Sequence, residues 1–112
     1  MIHDELVTYE VAKLAKEKGF NVPTDFCYEQ NGCLVRCGSI AAPTQSLLQR
    51  WLREERGYYV YPFFDNDELK WTFVIREKTG ERWIPLVGET PYFSEYKKAM
   101  EAGLKHTLEK LV

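Results

Sequence analysis
The sequence predicts an α+β domain in which three helices pack with an antiparallel sheet of about five strands. The expected order is α-ββ-α-βββ-α, and a three-layer sandwich is one form it can take. Three observations carry this. The 112 residues are 45% hydrophobic and 29% charged, the balance of one globular domain spanning residues 1–112. Aromatic residues make up 14%, and aromatics favour strands. The apolar pattern alternates between helical and strand periods, with turn residues at each change.

The first helix is expected over Tyr9–Lys18. Thr8 is a suitable N-cap, because its hydroxyl can accept from a first-turn N–H. Val11, Leu14, Ala15 and Lys18 share a face. Gly19 supplies the left-handed stop and Phe20 folds back on Leu14 or Ala15. A hairpin follows, read from Asn31-Gly32 as a two-residue type I′ turn. That register pairs Gln30 with Cys33, Tyr28 with Val35 and Phe26 with Cys37. It puts Phe26, Tyr28, Cys33, Val35 and Cys37 on the core face, and Cys27, Glu29, Leu34 and Arg36 on the other.

The second helix is expected over Thr44–Arg56, with Pro43 at its start. Leu47, Leu48, Trp51 and Leu52 form its apolar stripe, and Gln45, Gln49, Arg50, Arg53 and Glu54 look outward. A meander comes next. Tyr58–Phe64 joins Leu69–Glu77 through the loop Asp65-Asn66-Asp67-Glu68, which pairs Phe64 with Leu69, Val60 with Phe73 and Tyr58 with Ile75. Lys78-Thr79-Gly80 leads into Glu81–Val87, pairing Ile75 with Trp83, Phe73 with Pro85 and Trp71 with Val87. Both loops place one apolar set on one face, and that agreement supports the meander. Pro85 marks an edge or a bulge. The last helix is expected over Glu95–Leu111, capped by Ser94, with Tyr96, Met100, Leu104, Leu108 and Leu111 at helical spacing. Glu101 and Lys105 are an i,i+4 pair. Gly103 lies mid-helix, where close approach to the sheet would explain it.

The second face of the meander holds Tyr59, Tyr61 and Phe63 with Val74, Ile84 and Leu86, interspersed with Lys70, Thr72, Arg76 and Arg82. Aromatics beside cations on strands are the ingredients of a platform for single-stranded nucleic acid. The competing expectation is that a helix covers this face, because a sheet apolar on both sides is usually covered on both. A net charge of −2 favours the second expectation, since nonspecific nucleic-acid binding is mostly phosphate neutralisation.

Other chemistry finds little support. Cys33 and Cys37 would sit ~13 Å apart at ~3.3 Å per residue, with Cys27 on the opposite face. Neither a zinc site with His3 nor a disulfide fits, and free thiols in a reducing cytoplasm are expected. His106 could serve a small hydrolase, but no nucleophile is placed near it. Asp65, Asp67 and Glu68 form an acidic turn without the EF-hand spacing. The phosphate-loop, dinucleotide, nucleophile-elbow and zinc-protease motifs are missing. No apolar run is long enough to span a membrane, and the acidic N-terminus does not read as a signal peptide.

Two stretches carry a resemblance. Thr8–Phe20 (TYEVAKLAKEKGF) and Ala42–Glu55 (APTQSLLQRWLREE), with the closing Tyr96–Leu111 helix, resemble a family of small uncharacterised proteins of Bacteroides-type bacteria and their prophages. The architecture is also similar to phage-associated domains in which an antiparallel sheet lies between helices. The resemblance implies a three-layer arrangement and a mobile-element setting. It implies no catalytic residue, metal or cofactor. The expected function is therefore a non-enzymatic accessory or interaction protein with a protein partner or a second copy of itself. The alternative is a single-stranded nucleic-acid binder using Tyr59, Tyr61, Phe63, Lys70, Arg76 and Arg82.

Overall fold
Threonine hydroxyls fix the starts of the first two helices: Thr8, as the sequence suggests, and Thr44, which was expected inside its helix. In α1 (Tyr9–Glu17) the Thr8 hydroxyl accepts from the Val11 N–H at 3.4 Å. Gly19 takes φ +99° and the Phe20 N–H reaches back to the Ala15 carbonyl at 2.9 Å. The Phe20 ring meets Trp51 edge-on, with centroids 5.4 Å apart. In α2 (Gln45–Trp51) the cap is Thr44, whose hydroxyl accepts from the Leu47 N–H at 3.1 Å. The helix widens into a π-helical turn at Leu52–Arg56 and stops at Gly57, φ +79°. This computed structural model describes residues 5–36, 38–77, 83–84 and 92–112.

Among the described residues the strands form two antiparallel sheets of three, where one sheet of about five was expected. The first contains β1 (Cys27–Tyr28), β2 (Leu34–Val35) and β3 (Ile40–Ala41), in the order β2-β1-β3. β3 has no counterpart among the strands expected from the sequence. It pairs Cys27 with Ala41 and Tyr28 with Ile40. The hairpin register is one residue off the expectation, with Cys27 opposite Val35 and Tyr28 opposite Leu34. The cause lies in the turn. Gly32 has φ +89° but Asn31 does not have a positive φ, and a type I′ turn needs both. The Gly32 N–H donates to the Glu29 carbonyl at 2.8 Å and the Glu29 N–H to the Cys33 carbonyl at 2.9 Å. The loop is thus Gln30-Asn31-Gly32, with glycine at the left-handed position of a three-residue hairpin. A one-residue slip exchanges face partners. Phe26 and Cys33 are exposed, not core residues, while Tyr28 packs against the core. Cys37 lies outside the described residues.

The second sheet contains β4 (Tyr58–Asp65), β5 (Lys70–Glu77) and β6 (Trp83–Ile84), in that order. β4 and β5 pair from Tyr58 opposite Glu77 to Asp65 opposite Lys70. The loop is Asn66–Leu69, displaced by one residue from the expected Asp65–Glu68. Displacing both loop ends by one moves each partner by two, so the faces stay as predicted. The Asp65 carboxylate holds this turn, with Oδ1 accepting from the N–H groups of Asp67 and Glu68. β6 pairs Ile84 with Ile75 and Trp83 with Arg76, one residue from the expected register. The position opposite Trp71, expected for Val87, is taken by Phe93. These two residues exchange hydrogen bonds of 2.8 and 2.7 Å. The expected Lys78–Gly80 loop, Pro85, Leu86 and Val87 lie outside the described residues.

The N-cap of α3 (Tyr96–His106) is Glu95, not the expected Ser94, and it makes no side-chain cap bond. A π-helical turn, Thr107–Leu111, completes it. Met100, Leu104 and Leu108 are buried. The helix lies on the face of β4 and β5 that carries Val60, Phe73 and Ile75, all buried. A Cβ on Gly103 would sit 2.8 Å from Val60 Cγ1 and 2.9 Å from Phe73 Cβ. The glycine is therefore required by contact.

The polar seam between helices differs from the expected i,i+4 pairing. Glu101 does not bridge Lys105. Its Oε2 accepts from the Thr8 N–H at 3.0 Å and the Thr8 hydroxyl at 2.9 Å, and its Oε1 accepts from Gln45 Nε2 at 3.1 Å. Lys105 instead pairs with Glu10 at 2.8 Å and Glu109 at 3.8 Å. Gln45 is buried, contrary to its expected outward position, and also donates to the Lys97 carbonyl at 3.0 Å. Gln49 likewise turns inward, to the Val60 carbonyl.

Two outcomes follow for stability. Leu48 is fully buried, so Leu48→Ala should cost about 2–5 kcal/mol. Gly103→Ala should destabilise by about 1–2 kcal/mol, because overpacking outweighs the better helix propensity of alanine. Urea unfolding measures both, and an alanine at 103 that stabilises the protein would refute the close approach.

Candidate functional site
The face of β4 and β5 away from α3 is built by strand alternation. Tyr59, Tyr61 and Phe63 lie beside Lys70, Thr72, Val74 and Arg76, with Tyr59 opposite Arg76 and Phe63 opposite Thr72. Tyr59 is 40% exposed and Phe63 51%. These two rings are exposed, whereas Thr72, opposite Phe63 on the same face, is 6% exposed. Tyr61 is half-buried and meets Tyr59 edge-on, with centroids 5.2 Å apart. Burial pushes the Tyr61 phenol above its usual range, against the lowering effect of the Arg76 charge. The Arg53 guanidinium lies over the Tyr59 ring at 5.4 Å, a cation–π arrangement. Lys70 is exposed and Arg76 half-buried. Arg82 lies outside the described residues. The structure therefore brings five of the six sequence-predicted residues onto one face and adds Arg53 from the turn after α2.

The apolar surface continues around the end of the hairpin. Phe64, on the α3 side, meets Trp71 edge-on at 5.2 Å, and Trp71 meets Tyr96 in the same way at 5.2 Å. Phe64 and Tyr96 are 37% and 51% exposed. Tyr92 donates its hydroxyl to Asp65 Oδ2 at 3.0 Å. At the tip stands Leu69, 73% exposed and at φ +55°. A left-handed conformation costs a side chain with a Cβ about 1–2 kcal/mol. Sequence reasoning missed Leu69 by placing it in the strand. It missed Tyr92 and Tyr96 as surface residues because their partners, Asp65 and Trp71, are far away in sequence.

The outer edge of β4 is obstructed. Trp71 exchanges its hydrogen bonds with Phe93, so the facing residue Phe64 turns its backbone groups away from β5, and by the strand period so do Pro62 and Val60. Proline has no N–H there, and Gln49 Nε2 holds the Val60 carbonyl at 2.5 Å. Strand addition at this edge is disfavoured on both counts.

Other candidates are dispersed. His106 rests against the Phe73 ring, with centroids 5.8 Å apart, and no carboxylate or nucleophile bonds to it among the described residues. Cys27 and Cys33 are unpaired, and no cluster of three or more metal-ligating side chains occurs among the described residues. His3 lies outside them. Two shallow grooves flank Pro23 and Thr24, one reaching Lys16 and Cys27 and the other Phe26 and Leu47. No described helix is long and apolar enough to cross a membrane. Comparison with family models, with curated proteins and with solved structures finds no match to this chain.

The Tyr92 hydroxyl, with help from the turn amides, holds the Asp65 carboxyl below its ordinary value of 3.8, and Asp65 in turn raises the Tyr92 phenol. A depressed carboxyl contributes stability above its unfolded-state value and loses it as pH falls through the folded value. In Tyr92→Phe the Asp65 carboxyl should therefore titrate at higher pH than in the wild type. Carboxyl-detected NMR titration reads this, and an unchanged Asp65 curve would refute the bond.

Proposed function
We propose that the protein is a non-enzymatic interaction module, an accessory protein of bacterial or phage origin working in the cytoplasm. Its binding surface is the β4–β5 hairpin. The observation that carries this reading is the concentration of exposed apolar side chains there: Tyr59, Phe63, Phe64, Leu69, Tyr92 and Tyr96. Single apolar residues scattered over a surface need no explanation, but six on and beside one hairpin favour an interaction site. The mobile-element setting rests on the resemblance of the helical stretches.

A second reading, single-stranded nucleic-acid binding, is favoured by the open positions of Tyr59 and Phe63 beside Lys70, Arg76 and Arg53. Against it, Arg53 already occupies a face of Tyr59 and Tyr61 packs on its neighbour's ring. Three cations also offer a small counterion-release term. Oligo(dT) should therefore bind no tighter than about 10 μM at physiological salt, around −7 kcal/mol. Fluorescence anisotropy measures this. Submicromolar binding that a Tyr59→Ala, Tyr61→Ala double variant abolishes would establish the second reading instead.

A further inference from the structure
We infer that the β4–β5 hairpin docks end-on, with Leu69 as its anchor, into an apolar cleft rimmed by basic groups on a partner protein. The inference rests on the reading of this hairpin as an interaction surface. Three observations lead to it. Leu69 is the most exposed of the large apolar residues among the described residues, at 73%. It also has the only positive φ outside glycine among the described residues, at a position where glycine or asparagine is usual. Hairpin-turn chemistry does not call for leucine there, and neither does the core. Strain and exposure at one residue point to a role outside the folded chain.

The second observation is the setting. Phe63 and Phe64 flank the tip on opposite faces of the hairpin, so apolar surface surrounds the end and not one side only. With the β4 edge obstructed by Pro62 and Gln49, strand addition is disfavoured, and the end of the hairpin offers the most exposed apolar side chain among the described residues.

The third observation gives the partner its charge. Asp65 is spent within the loop, on Tyr92 and on two backbone N–H groups. Asp67 and Glu68 are exposed, and their carboxylates make no hydrogen bond or ion pair among the described residues. Against the single cation Lys70, these carboxylates leave the tip net acidic, and an acidic tip bearing an apolar knob complements a cleft with a basic rim. The same charges oppose a two-fold contact between the tips of two copies, because acidic loop would face acidic loop.

The probe is a synthetic amphipathic helix of leucine and lysine, titrated by isothermal calorimetry against the full chain. An analogue of leucine and glutamate and an oligo(dT) serve as the other arms. The lysine peptide should bind, more weakly as salt rises. Leu69→Asn should reduce the affinity about tenfold or more, the loss expected for an anchor residue. Asparagine tolerates a positive φ, so the melting temperature should not fall. Leu69→Gly, free of the strain, should give the same loss. Asp67→Asn with Glu68→Gln should flatten the salt dependence. Equal affinity in the wild type and both Leu69 variants would overturn the inference. So would binding of the glutamate peptide or oligo(dT) as tight as that of the lysine peptide. If Phe63→Ala abolishes peptide binding while Leu69→Asn does not, the hairpin stands as an interaction surface but Leu69 falls as its anchor. No peptide binding, with self-association lost in Phe63→Ala by sedimentation, would likewise keep the surface and remove the anchor. Neither peptide binding nor self-association would defeat both readings.

Discussion
The absence of a side chain at Gly103 lets α3 settle onto β4 and β5. Val60 and Phe73 come so near that even a methyl group there would collide with them. With the helix at that distance, Met100, Leu104 and Leu108 enter the core beside Val60, Phe73 and Ile75. The Thr107 hydroxyl, fully buried, finds its partner in the Gly103 carbonyl at 2.8 Å, so the approach leaves this polar group satisfied. Glu101 is brought to where one carboxylate joins the cap of α1 to the first residue of α2. Three helices are thereby registered against one hairpin by one contact and one polar clasp.

This arrangement gives the hairpin two unlike sides. The side under α3 is closed by aliphatic packing. The other retains exposed Tyr59 and Phe63, and the end retains Leu69 in a conformation that its own fold does not reward. The edge of β4 is guarded by a proline and a glutamine in the manner of strands that must not pair with strangers. A protein that blocks its strand edge while leaving aromatic rings and a strained leucine uncovered has a surface suited to side-chain recognition. The rigid backing of α3 would hold that surface in shape before a partner arrives, which reduces the ordering cost of association.

Much of this was legible in the sequence. The Thr8 cap, the Gly19 stop and the helical stripes placed α1, α2 and α3 within a residue or two, and Gly103 was readable as a close approach. The faces of β4 and β5 were also legible, because the displaced loop moved each partner by an even number. Odd slips were costly. The first hairpin turned on whether Asn31 takes a positive φ, a choice local sequence does not make; of its expected core face Tyr28 packs against the core while Phe26 and Cys33 are exposed. β3 is two residues long and carries too little periodicity to see. Glu101, Gln45 and Gln49 were misjudged for a common reason: each is satisfied by a partner remote in sequence, and helical spacing alone describes such residues as solvent-facing. The candidate surface was half visible. Its strand aromatics follow from alternation, but the tip depends on which residue occupies the left-handed position of the turn.

The central claim is that contact between Gly103 and Val60 sets the helix-to-sheet distance, and a double-mutant cycle tests it most directly. Val60→Ala removes the Cγ1 atom that an alanine at 103 would strike. Equilibrium unfolding of Gly103→Ala, Val60→Ala and the double variant should show a coupling of about 0.5–3 kcal/mol, with the double variant more stable than the sum of the single losses predicts. Strictly additive losses would mean that the two positions do not meet, and that α3 is not seated on the hairpin by this contact.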